Sequence, residues 1–128
     1  IFSSGKVVLT GIRRPEDLQD GLEIIMRSLR DAGVDTYSEP QVAVTNIVCS
    51  YDMGKYINLN KVVITLNLEN IEYEPEQFPG LVYRLDDPKV VALLFGSGKL
   101  IITGGKVPDD ARRAVERIVS ELSSLGLL

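Results

Sequence analysis

Two short runs invite a chemical reading first. Gly96-Ser97-Gly98-Lys99 and Ser3-Ser4-Gly5-Lys6 set a lysine behind small residues, the composition of a loop that cradles phosphate. Both lack the upstream glycine of G-x-x-x-x-G-K-S/T, and Leu100 or Val7 follows the lysine where a hydroxyl is required, so a hairpin turn is the better assignment. Glu69, Glu72, Glu74 and Glu76 offer paired carboxylates for acid–base work or a hard cation. No histidine or aspartate cluster completes a metal shell around them, and they read instead as a solvated or partner-facing edge. Histidine is absent from all 128 residues, which removes His-based triads, His metal sites and the usual general base near neutral pH. The single Cys49 excludes an internal disulfide and, flanked by Ile47 and Val48, reads as a small buried hydrophobe. These residues point to no catalytic group, metal or cofactor, and so to a protein that is not an enzyme.

Phe78 and Phe95 carry a sharper possibility. A phenylalanine is usually core. Phe78, however, precedes the Pro79-Gly80 turn, and Phe95 ends a strand just before a glycine turn. At a strand end a ring can project beyond the sheet.

What must position these residues is a duplicated unit. Ile1-Phe2-Ser3-Ser4-Gly5-Lys6-Val7-Val8-Leu9-Thr10-Gly11 returns as Leu94-Phe95-Gly96-Ser97-Gly98-Lys99-Leu100-Ile101-Ile102-Thr103-Gly104, and Pro15, Asp17, Glu23, Ile25, Leu29 and Gly33 return as Pro108, Asp110, Glu116, Ile118, Leu122 and Gly126. The period, from Ile1 to Leu94, is far longer than a solenoid repeat, and the chain has room for one complete copy preceded by the tail of another. The chain also begins without a methionine, and the expectation is a fragment. The organisation this implies is 1–33 as the C-terminal part of a first repeat with strands and a helix, 34–41 as connector, and 42–128 as a complete second repeat.

Segment 6–11 is β-rich. Pro15 then opens a helix with Leu18, Leu22, Ile25 and Leu29 at helical spacing, acids in its first turn and Gly33 at its end; Pro108 repeats the plan with Ala111, Val115, Ile118 and Leu122. Strands are expected at 42–50, 71–77, 81–86, 90–95 and 99–104. Leu59, Val62, Val63 and Leu66 predict a helix over 59–68 despite the β-branched Val62-Val63-Ile64-Thr65. The complete copy is thus strand, helix, four strands, helix: an α+β fold with a curved antiparallel sheet and helices on one, convex, side. Alternation sends Val91, Leu93 and Phe95 one way and Ala92 and Leu94 the other. Helices cover only one face, so the second apolar face must meet a second sheet, a subunit or a ligand with a broad apolar surface.

Apolar residues make up 45% of the chain, enough for a real core. No apolar run approaches the roughly 18 residues of a membrane span, and a soluble intracellular protein is the default. The net charge of −4 disfavours nucleic acid at face value. The two faces of a sheet can carry opposite charge, however, and the total averages over them.

Asn46-Ile47-Val48, the run Tyr73-Glu74-Pro75-Glu76-Gln77-Phe78-Pro79-Gly80-Leu81-Val82-Tyr83-Arg84, and Leu94–Lys99 through Thr103-Gly104 closely resemble the second repeat of the TATA-binding protein family, most of all its archaeal form. The resemblance spans the chain. It implies a two-repeat saddle whose concave sheet binds the minor groove of A·T-rich promoter DNA and bends it, a general transcription initiation factor in the cytoplasm of an archaeal cell, associated with the nucleoid. By the same resemblance Phe78 and Phe95 are wedges at a base step and Phe2 is the first repeat's counterpart of Phe95. Asn46 and Thr103 meet base edges, and Val48, Val91, Leu93 and Ile101 form an apolar floor. Val8 and Thr10 match Ile101 and Thr103 in the partial copy. Arg84, Lys99 and Lys106, with Lys6 and Arg13, look like phosphate contacts. Glu74, Glu76 and Gln77 resemble the loop that meets a B-class general transcription factor. The alternative from the residues alone is an interaction module that dimerises through its apolar sheet face, and an incomplete saddle with an open edge could self-associate.

Overall fold

A computed structural model describes residues 1–36, 39–67 and 69–128. The chain divides into two compact units, Ile1–Val42 and Ala43–Leu128.

In the second unit the first strand, β1 (Ile47–Asp52), leads to α2 (Leu59–Leu66), and four further strands follow: β2 (Ile71–Glu72), β3 (Leu81–Arg84), β4 (Val91–Leu94) and β5 (Lys99–Gly105). Helix α3 (Pro108–Ser124) ends the unit. The strands form one open antiparallel sheet in the order β1-β5-β4-β3-β2. Strand, helix, four strands, helix is the expected order, and the α+β antiparallel architecture is the expected class.

Local chemistry explains how α2 overrides its β-branched residues. Asn58 Oδ1 accepts the Lys61 N–H at 3.1 Å, a side-chain N-cap, and Asn67 closes the other end in the left-handed conformation at φ 45°. A cap of this kind contributes about 1 kcal/mol, and Leu59 and Val62 are buried beneath the helix. Helix α3 starts on Pro108, while the Asp110 carboxylate accepts the backbone N–H groups of Lys106 and Val107 at 3.0 and 3.3 Å. It ends in a Schellman motif, with Gly126 N–H on Ser123 O and Leu127 N–H on Leu122 O.

The core lies between these helices and one face of the sheet. Leu81 and Tyr83 of β3, Ala92 and Leu94 of β4, and Leu100 and Ile102 of β5 are buried there with Ala111, Ala114, Ile118 and Leu122 of α3. Each fully buried Leu or Ile contributes about 1.5–3 kcal/mol. The Tyr83 hydroxyl donates to Glu121 of α3 at 3.0 Å, and burial, reinforced by that carboxylate, pushes its pKa up to about 12.

In the first unit the N-terminal helix α1 runs over Asp17–Asp31, after a turn in which Asp17 N–H meets Arg14 O. It ends in the same Schellman motif as α3, Gly33 N–H on Arg30 O and Val34 N–H on Leu29 O. The duplication in sequence is therefore a duplication of hydrogen bonds. Leu18, Leu22, Ile25 and Leu29 are only half-buried, whereas Ala111, Ile118 and Leu122 at the matching positions of α3 are buried.

Several expected boundaries move. The strands expected within 1–33 do not form: residues 6–11 are irregular. Their counterpart, β5, is a strand because β1 and β4 supply ladder partners on both sides, and among its described residues the first unit has no strand to play that part. The strand expected at 42–50 is Ile47–Asp52. The strand expected at 71–77 stops at Glu72, because Pro75 has no N–H to give a ladder and 74–78 closes as a turn, with Gln77 and Phe78 N–H both on Glu74 O at 2.9 Å. Strands 81–86 and 90–95 shorten to Leu81–Arg84 and Val91–Leu94, and 99–104 extends to Gly105. Of the helix expected over 59–68, Leu68 lies outside the described residues, as do Tyr37 and Ser38 of the 34–41 connector.

Candidate nucleic-acid interface

Opposite the core, the sheet carries a face that no helix of the second unit covers, and its side chains fall into rows set by the strand register. The central row is Ser50–Ile101–Leu93–Val82, from β1 across β5 and β4 to β3. Ile101, Leu93 and Val82 are partly exposed, and Val48 of β1, pointing the same way as Ser50, is 63% exposed. A contiguous apolar strip open to solvent on a folded sheet is a surface built to be covered.

A second row joins Thr103, Val91 and Arg84. Asn46, just before β1, reaches this row: its Nδ2 donates to Thr103 Oγ1 at 3.3 Å, and its Oδ1 accepts the Gly104 N–H at 2.7 Å. The acceptor end of the amide is spent on the backbone. One amide hydrogen and the Thr103 hydroxyl hydrogen remain free to donate outward.

At one end of the sheet stand the two phenylalanines. Phe95 follows β4 and Phe78 precedes β3; their rings meet edge to face with centroids 5.8 Å apart, and Phe78 is 39% exposed. Lys99 pairs with Asp52 across β5 and β1, and Ser50, Asp52, Phe95, Lys99 and Ile101 line a shallow cavity there.

Cations rim the face. Lys99 is exposed, Arg84 Nη1 lies 3.2 Å from Glu72, and Lys106 Nζ, beyond β5, donates to Thr45 O at 2.6 Å. The structure thus brings Asn46, Val48, Val91, Leu93, Ile101, Thr103, Arg84 and Lys99 onto one face, with Phe78 and Phe95 at its end and Lys106 at its border. In the first unit, Phe2 N–H to Lys6 O and Gly5 N–H to Phe2 O repeat the bonds of the 95–99 turn. Phe2 and Val8 are 59% and 66% exposed, and Lys6, Thr10 and Arg13 are exposed too. Glu74, Glu76 and Gln77 occupy the exposed 74–78 turn.

Sequence reasoning missed Val82 and Ser50 on this face. Alternation with Arg84 in 81–84 was sufficient to place Val82; Ser50 needed the β1–β5 register. It named Glu72 only as part of a solvated or partner-facing edge and missed Asp52; that these two acids lie beside the cations Arg84 and Lys99 follows only from pairing. Among the described residues no group of three or more His, Cys, Asp or Glu could hold a metal ion, and no helix is long and apolar enough to cross a membrane.

An open antiparallel sheet with an uncovered apolar face, paired aromatic side chains at its end and a basic rim presents a binding surface. The chain belongs to the TATA-binding protein family: the family described as transcription factor TFIID, or TATA-binding protein, matches residues 1–32 and 41–125. That is a family of transcription factors, not of enzymes. The chain is 62% identical over its whole length to 68% of a TATA-box-binding protein of Natronomonas pharaonis, and 58% identical over its whole length to 70% of one from Archaeoglobus fulgidus. The solved structure of Methanococcus jannaschii TBP aligns with 90% of the chain and 67% of its own at a TM-score of 0.77 and 44% identity.

Proposed function

We propose that this chain acts as a general transcription factor that binds the minor groove of TATA-box promoter DNA and bends it. The observation that carries the reading is the uncovered sheet face with the Phe78–Phe95 pair at its end. The minor groove offers a nearly degenerate set of acceptors on A·T pairs, so a largely apolar surface with a few donors suits it, reading width and deformability more than base identity. Val48, Val82, Val91, Leu93 and Ile101 form the floor, Asn46 and Thr103 donate to base edges, and Phe78 and Phe95 enter a base step and unstack it. Arg84, Lys99 and Lys106 meet phosphates. Residues 1–33 represent the end of a first repeat, joined through 34–41 to a complete second repeat at 42–128, so that Phe2, Lys6, Val8, Thr10 and Arg13 take the matching roles. Glu74, Glu76 and Gln77, on an exposed turn, are the contact for a B-class general transcription factor.

The test is a titration of A·T-rich duplex at several salt concentrations, with end-labelled DNA reporting the bend. Phosphate contacts make log affinity fall linearly with log salt. A second reading, dimerisation through the same apolar face, is favoured by the exposure of Val48 and by β1 standing at the edge of the sheet with no outer neighbour among the described residues. It predicts concentration-dependent sedimentation and no salt-dependent DNA affinity.

A further inference from the structure

The turn that carries Phe95 is gripped by a second segment of main chain. Phe95 N–H to Lys99 O and Gly98 N–H to Phe95 O close the turn on itself, each at 2.9 Å. From outside, Met53 N–H donates to Gly98 O and Ile57 N–H to Gly96 O, again at 2.9 Å. The gripping segment is itself anchored. Asp52 Oδ1 accepts the Gly54 N–H at 2.9 Å, Ile57 is buried, and Asn58 caps α2. Between the two bonds the Lys55 carbonyl comes so near that a Cβ on Gly98 would lie 2.1 Å from its oxygen, and Gly98 sits at φ +90°. The close approach therefore requires glycine twice over, for conformation and for space.

The duplication supplies an internal comparison. Gly5 occupies the matching turn with the same hydrogen bonds and φ +89°, yet a Cβ there meets nothing within 4 Å. Alanine at either position meets the same backbone penalty. Only at Gly98 does it strike another segment.

We propose that Gly98 is a positioning residue: by letting the 53–57 segment seat on the 95–99 turn, it fixes the Phe95 ring against Phe78 in the orientation needed to enter DNA. The wedge role rests on the function proposed above, but the positioning does not. Parent protein, Gly98→Ala and Gly5→Ala are compared by NMR in the free state and by fluorescence of duplexes carrying 2-aminopurine at A·T steps. Nuclear Overhauser contacts between the Phe78 and Phe95 rings should appear in the parent and in Gly5→Ala and vanish in Gly98→Ala. Unstacking should fall with them, and affinity should drop roughly tenfold, the scale of a lost hot-spot side chain, with the salt slope unchanged. Ring contacts that survive in Gly98→Ala overturn the proposal. Hydrogen exchange of the parent tests the clamp without any variant: Met53 and Ile57 amides should be protected relative to Lys55, and exchange at unprotected loop rates would overturn it equally. A parent that never unstacks the duplex defeats the DNA reading, while the ring contacts and exchange still decide the clamp.

Discussion

Phe78 and Phe95 share their end of the sheet because Gly80 leaves room between them: a Cβ there would lie 2.8 Å from Phe78 Cε1 and 3.0 Å from Phe95 Cε1. The edge-to-face pair, with ring planes at 70°, contributes about 0.5–1.5 kcal/mol beyond burial. Neither ring belongs to the buried core of the unit. Phe95→Ala should therefore cost less than about 2 kcal/mol of stability, against about 2–5 kcal/mol for Leu100→Ala in the core. Binding to a TATA duplex should fall sharply in the first variant. Thermal melts of both, beside a titration of the Phe95 variant, check this; a core-sized loss of stability for Phe95→Ala removes the wedge.

Arg84 and Lys99 make a prediction about charge. Arg84 lies 3.2 Å from Glu72, both side chains more than half exposed, and such a pair is worth only about 0–1 kcal/mol. Glu72 therefore competes weakly with a phosphate for the same guanidinium. Glu72→Gln should leave the melting temperature nearly unchanged and raise DNA affinity about threefold at low salt. Lys99→Ala should act in the opposite direction on every duplex, reducing the salt slope by about one. Affinity of both variants across a salt series gives the answer.

How much of this surface was readable in advance follows the range of the forces involved. The element order, the two faces of Val90–Phe95 and the helix at Leu59–Leu66 all come from periods and caps spelled within a few residues. The 74–78 turn, where a longer strand was expected, was equally local, since Pro75 forbids the ladder. Segment 6–11 is different. Its residues match β5 nearly one for one, yet a strand is made by its neighbours, and the described residues of the first unit include no strand to pair with it. The acids beside the basic rim were hidden for the same reason: Glu72 reaches Arg84, and Asp52 faces Lys99, only through pairings between strands distant in sequence.

Tyr83 predicts a pH dependence. Its phenol is buried and donates to Glu121, which holds the folded-state pKa near 12 against an ordinary 10.0. The neutral form is favoured in the folded protein. Its contribution is complete below about pH 10 and is lost as pH rises toward 12. Tyr83→Phe should lose about 1 kcal/mol at neutral pH from the missing hydrogen bond and decline less steeply than the parent between pH 10 and 12. Urea midpoints of both proteins across that window separate this tyrosine from the other groups that titrate there.

Asn46 allows fold and recognition to be separated at one atom. Its Oδ1 accepts the Gly104 N–H at 2.7 Å and its Nδ2 faces Thr103 Oγ1 at 3.3 Å, tying the start of β1 to the end of β5. Asn46→Asp keeps the acceptor that the backbone uses, and the Thr103 hydroxyl can turn to donate to the new carboxylate. The sheet should survive, with stability changed by no more than about 1 kcal/mol. Toward the groove the substitution removes a donor, redirects the Thr103 hydrogen inward and sets a negative charge against A·T acceptors, which offer no proton in return. An unpaired charge desolvated on binding is costly, so affinity for TATA duplex should fall by at least about tenfold. Asn46→Ala should do the reverse, losing the bond to Gly104 and some stability while adding no repulsion. Melting curves and duplex titrations of the two variants settle the ordering: if Asn46→Ala binds more weakly than Asn46→Asp, the amide serves the fold and not the groove.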